Sequence, residues 1–291
     1  MAIIDGLNQR HLTLDDIEGA VALSAEAGWN QTARDWQLML ENGQGFGLVT
    51  ENGSLVATAL TLPHGHHLAW ISMVLVTKAF RNRGLATQLL QSCLDSLSRR
   101  SMLPILDATE TGKVVYGKIG FKPLYGLQRW VRETGEQNRR DSHLKPDNRI
   151  HPINHANLQG IIELDRTIFG ADRSPVLIHL AGRQPSSAFY ISDNGDTIRG
   201  FIMARDGKHA FHIGPVIADD TKSAISLTAQ VLSNLEGMVY IDALDQHEHY
   251  LDWLQENGFT PQRPFTRMCF GDPTGFDQPG RIFTAIGPEL G

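Results

Sequence analysis

An apolar run from Leu68 to Val76 leads straight into a short turn and then a helical pattern. A run of this length, bounded by turn signals, reads as a strand buried on both faces. The turn carries one glycine, Gly84. Beyond it, Leu85, Leu89, Leu90, Cys93, Leu94 and Leu97 recur at helical spacing along one face. A second strand pattern covers Pro104 to Ala108, and Val115 to Phe121 closes the unit. This order constrains chemistry as well as fold. A buried strand that delivers the chain through a glycine turn onto a helix leaves the first-turn N–H groups free, and the helix dipole favours negative charge there.

The residues of that turn read Arg81-x-x-Gly84-x-Ala86, with Val76 five positions before and Tyr116-x-x-x-Gly120-Phe121 downstream. All three parts, in this order and spacing, resemble the signature of the GCN5-related N-acetyltransferases (GNAT). The resemblance implies acetyl-CoA as co-substrate and no metal. It implies that Arg81, Asn82, Arg83, Gly84, Leu85, Ala86 and Thr87 cradle the pyrophosphate. It implies that Met73, Val74, Leu75 and Val76 pair with the pantetheine arm main chain to main chain, and that Tyr116 donates a proton to the leaving thiolate. The general base stays open between Asp107 and Glu110, acting through water. Asp107 is equally a candidate to bind the substrate ammonium or to fix the strand end. Trp29 and Trp70 read either as core aromatics or as walls of an amine pocket.

The rest of the first half reads as a strand from Leu7 to Thr13, helices over Ile17–Glu26 and Thr32–Glu41, and strands over Phe46–Thr50, Leu55–Leu62 and Leu127–Arg132. The expected fold class is α/β (α+β), with a mixed, mostly antiparallel sheet flanked by helices. His64, His66 and His67 read as a solvated turn rather than a metal site. His247 and His249 sit two apart, off one helical face, and also suggest no metal. Residues 133–149 are polar and read as a linker between a unit at 1–132 and another at 150–291.

A shift of 138 residues links the halves. Ala86 falls on Ala224, Leu94 on Leu232, Asp107 on Asp245, and Gly120-Phe121 on Gly258-Phe259. The same register puts Asp219 at Arg81, Lys222 at Gly84 and Leu254 at Tyr116. The second copy is therefore expected to keep the fold and lack the chemistry. Over most of its length it also resembles the C-terminal domain of tandem bacterial acetyltransferases of the YitH type, through Asp165 to Arg173, Ile213-Gly214-Pro215, Phe265 to Met268 and Gly287 to Gly291.

A net charge of −6 speaks against a general nucleic-acid partner. Two cysteines, no leader pattern and no long apolar segment suggest a cytoplasmic protein without membrane attachment. A monomer or homodimer is expected. The favoured activity is acetylation of a primary amine on a small molecule. A non-catalytic acyl-CoA sensor and a protein N-terminal or lysine acetyltransferase are the alternatives.

Overall fold

A computed structural model describes residues 6–133, 147–193 and 197–291. In the first half the order is β1 (Leu7–His11), α1 (Ile17–Glu26), α2 (Ala33–Asn42), β2 (Gln44–Thr50), β3 (Leu55–His64), β4 (Leu68–Val76), α3 (Leu85–Arg99), β5 (Leu103–Ala108), α4 (Glu110–Ile119) and β6 (Lys122–Arg132). The second half runs β7 (Ile150–Pro152), α5 (Leu158–Phe169), α6 (Ser174–Arg183), β8 (Phe189–Ser192), β9 (Ile198–Arg205), β10 (Phe211–Ala218), α7 (Thr221–Leu232), β11 (Val239–Leu244), α8 (Glu248–Glu256), β12 (Thr260–Cys269) and β13 (Ile282–Thr284). The expected linker falls mostly outside the described residues.

The thirteen strands of the described residues form one sheet, ordered β1-β2-β3-β4-β5-β12-β6-β11-β13-β10-β9-β8-β7. That order contains an exchange. β12 is the repeat partner of β6, since Lys122 shifted by 138 falls on Thr260, the first residue of β12. Yet β12 lies against β5 of the first half, and β6 lies against β11 of the second. The two exchanged strands also pair with each other, which joins the halves into a continuous sheet. The boundary at 132/150 is thus a boundary in sequence and not in the sheet.

Two ion pairs lock the exchange. Arg267 on β12 donates from Nε and Nη2 to Asp107 on β5, both at 2.9 Å. Arg129 on β6, its repeat partner, donates from Nε and Nη2 to Asp242 on β11, both at 2.7 Å. All four side chains are buried. Buried bidentate pairs of this kind add little net stability but fix which strand lies beside which, because a wrong neighbour strands a charge.

One apolar cluster runs through both halves, combining Trp36, Leu60 and Trp70 with Phe169, Phe201 and Leu290. Two satellite clusters lie beneath α3 and α7. Burial of each large apolar side chain here favours folding by about 1.5–3 kcal/mol. His64 belongs to this shared core and not to a solvated turn: it is buried, bonds through Nε2 to the Leu290 carbonyl at 3.1 Å and stacks edge-on against Phe169. The C-terminal end of the second half and Phe169 reach the last residue of β3 and cover His64 there. His66 and His67 are exposed. No helix among the described residues is long and apolar enough to cross a membrane.

Candidate active site

β4 and β5 run parallel but pair only over Leu68–Trp70 against Leu103–Ile105. Beyond Trp70 they diverge. The cause is local to β4, where Met73 takes a positive φ of 53° and the register against β3 slips between Thr58 and Leu60. A non-glycine residue in that region is strained unless its surroundings hold it. Here the Thr58 hydroxyl donates to the Met73 carbonyl at 2.7 Å in a buried setting. The bulge re-aims the strand and opens a wedge between β4 and β5.

That wedge is a cavity of about 120 Å3. Ile71 to Val74 form one wall, and Leu106, Asp107, Thr109 and Tyr116 the other. Trp29, Asn30 and Gln31 close one end, and Arg129, Arg263, Phe265, Pro288 and Glu289 close the far side. The last four come from the second half of the chain.

Tyr116 lies on α4, which starts at a Thr109 N-cap that accepts from the Gly112 N–H. Its ring is half-buried, and burial pushes its hydroxyl pKa up to about 12. At neutral pH it is therefore protonated and able to donate. Met73 and Val74 are in the wall. Leu75 and Val76 continue the strand toward the glycine turn.

The turn itself ends at Gly84, which caps α3 in the left-handed region at φ +77°. A glycine adopts this conformation without steric cost, and no side chain caps the helix. A Cβ at Gly84 would meet nothing within 4 Å, so the space before the helix N-terminus is open. Asn82, also at positive φ (62°), Arg81 and Arg83 are exposed around it, with Ala86 and Thr87 in the first turn. Arg81 donates to the Val76 carbonyl at 3.1 Å, which braces the turn against β4. Open space, free helix-end N–H groups and flanking cations suit a pyrophosphate.

Two expected substrate contacts are committed elsewhere. Trp70 is fully buried in the shared core, where its Nε1 donates to the Pro288 carbonyl at 3.0 Å and Arg267 covers its ring. It cannot meet a substrate, because the fold-back of the second half seals it. Asp107 borders the cavity, but its carboxylate is held by Arg267, which makes it a strand lock rather than an ammonium site. Glu110 is exposed on α4 and does not line the cavity.

Sequence reasoning did not single out Arg129, Arg263 or Glu289. Glu289 is buried; one of its oxygens accepts from Arg205 and the other has no partner among the described residues. The signal for it was the compact Gly287-Pro288-Glu289-Leu290-Gly291 run, too apolar and too hinged to be a loose tail.

The second half shows the same wedge filled. β10 and β11 run parallel over Phe211–Ile213 against Val239–Ile241 and then part. β13 occupies the gap and pairs with both. The connection from β10 to α7 is only Asp219 and Asp220, so the long turn of the first half is absent rather than altered. α7 opens two residues before the 138-residue register would place it. Asp220 caps α7 by accepting from the Ser223 N–H at 2.8 Å, and Asp219 accepts from Arg281. The helix end is satisfied from within. Leu254, at the register of Tyr116, is fully buried.

A model of the acetyltransferase (GNAT) family matches residues 14–121, and a second acetyltransferase (GNAT) domain model matches residues 161–284. The chain belongs to the GNAT superfamily. Its two domains stand in tandem. A candidate acetyltransferase from Pyrococcus horikoshii is similar over 100% of this chain and 98% of its own, with a TM-score of 0.82 at 20% identity. A GCN5-related N-acetyltransferase from Sphaerobacter thermophilus gives a TM-score of 0.64 at 15% identity, covering 92% and 96%. A tandem GNAT protein from the clavulanic acid biosynthesis pathway gives 0.62 at 11%, covering 90% and 98%. At these identities the likeness is one of fold. None of the curated proteins compared matches the chain.

Proposed function

We propose that this tandem GNAT protein is an acetyl-CoA-dependent N-acetyltransferase with one catalytic centre, in its first half, acting on the primary amine of a small molecule. The observation that carries this reading is the contrast between the two wedges. The first is open, lined by β4 main chain and faced by a protonated tyrosine, while the second is filled by β13. An extended thioester arm would take in the first half the place that β13 takes in the second, as an added strand.

The thioester supplies an activated acetyl carbon. Residues 81–87 would hold its pyrophosphate and so fix its position, which lowers the entropic part of the barrier. Attack by the neutral amine forms the C–N bond. Collapse of the adduct breaks the C–S bond, and the Tyr116 hydroxyl gives its proton to the leaving thiolate. The excess proton on the nitrogen leaves through water and, by the same route, the Tyr116 hydroxyl is restored. The cavity, closed at one end by Trp29, Asn30 and Gln31 and at the far side by residues of the second half, favours a small acceptor over a protein terminus.

The test is thiol release from acetyl-CoA by the full chain with a panel of small amines, beside calorimetry with acetyl-CoA. One site per chain and amine-dependent thiol release are expected. Binding without release across the panel would instead support a sensor, and two comparable sites would overturn the one-centre reading.

A further inference from the structure

We infer that the acceptor carries an anionic group, as an amino acid does, and that Arg263 reads it. This deepens the proposed function and rests on it. Arg263 enters the cavity wall from β12, a strand contributed by the second half. Most buried guanidinium groups in this molecule are matched: Arg267 with Asp107, Arg129 with Asp242, Arg173 with Asp165, Arg205 with Asp35 and Glu289. Arg263 is the exception in the cavity. It has no carboxylate in bonding distance among the described residues, and its Nε is buried without a partner.

Its surroundings add to the imbalance. Burial itself disfavours the charged form of Arg263, and Arg129, already committed to Asp242 and lining the same cavity, adds to that against partial support from Asp242, Tyr240 and Glu289. Its guanidinium also rests near the Phe265 ring, 5.4 Å from the centroid, on the wall beside it. A half-buried arginine held next to a second arginine and denied a counter-ion is costly to keep unless a ligand completes it. A carboxylate does so bidentately. The phosphates of the acyl donor are poor candidates for this role, because residues 81–87 do not line the cavity that Arg263 does. Glu289 adds a negative group to the same wall. The cavity therefore presents a cation and an anion from the second half to a space bounded by β4, and a zwitterionic amine matches both.

The experiment uses the full chain and a panel of α- and ω-amino acids, each beside its amide. Thiol release from acetyl-CoA and calorimetric binding are both measured. The expected result is that at least one acid is preferred to its amide by 10-fold or more in kcat/KM. Arg263→Gln should collapse that preference toward unity, and Arg263→Lys should restore part of it. Acids and amides used equally, or a preference that survives Arg263→Gln, would overturn the inference. So would failure of every acid to bind, or Arg263-dependent transfer confined to a dicarboxylic acyl-CoA, which would assign the arginine to the acyl chain. Arg263-dependent binding of an acid without thiol release keeps the anion site and overturns acetyl transfer instead.

Discussion

Tyr116 is where the residue scale meets the chemistry. Its hydroxyl, ordinarily at 10 and raised by burial to about 12, is protonated at neutral pH, so its value lies in position rather than in a tuned pKa. Tyr116→Phe is expected to lower kcat by roughly 10–1,000-fold with little change in acetyl-CoA affinity. An unchanged rate would pass the proton to water. A second residue sets acid tolerance. His64 is buried in the shared core, and burial, with Arg173 nearby, lowers its pKa to about 3. The unfolded chain binds the proton near the ordinary 6.5, so the folded state gains from His64 only while the ring stays neutral. That contribution is complete above pH 6.5 and is lost as pH falls toward 3, at up to about 1.4 kcal/mol per pH unit. Asp35 adds to the loss lower down. Burial opposes its charge, but Arg205 and Arg183 outweigh burial and bring it to about 2, so its contribution fades between 3.8 and 2. Denaturant midpoints measured from pH 7 to 4 should fall, and His64→Gln should flatten the slope. A flat profile in the parent chain would contradict this.

At the scale of elements, the turn before α3 carries a prediction. Gly84→Asp forces a side chain into the left-handed region and places a negative charge before the helix N-terminus. Nothing in the protein blocks that side chain, so the stability cost is confined to about 1–2 kcal/mol of backbone strain. Acetyl-CoA affinity should fall at least tenfold, by like-charge repulsion at the cradle. Calorimetry showing parent-like affinity would remove the pyrophosphate from this turn. Much of this layer was legible in advance. The helix at Ile17–Glu26 and the strand at Leu68–Val76 are found where the apolar pattern and the flanking turn signals put them. β6 was less so: the expected strand opens at Leu127, yet it begins at Lys122 and includes Pro123 and Gly126. Its register against β12 shifts once beside Pro123, between Arg267 and Met268, while Gly126 pairs in register with Thr266. The bulge at Met73 has no signal in the sequence of β4, and the contact that braces it comes from the Thr58 hydroxyl on the neighbouring strand. The strand order was illegible for a different reason: β6 and β12 are copies, so either satisfies the local pattern beside β5.

For the whole molecule the exchange decides how the chain comes apart. A first half cut free would leave β5 without β12, Asp107 without Arg267 and the core around Trp70 without Phe169 and Leu290. Neither half closes its own sheet, so the protein is expected to unfold as one unit despite a length at which two independent transitions would be ordinary. Arg267→Gln tests this at the seam. It leaves Asp107 buried and unmatched, at a cost of about 3–5 kcal/mol. If the halves are coupled, hydrogen exchange in α3 of the first half and α7 of the second should accelerate together in that variant, and calorimetry should show one peak at a lower temperature. Acceleration confined to one helix, or a peak that splits in two, would mean that each half carries its own stability and that the shared sheet joins two units already folded.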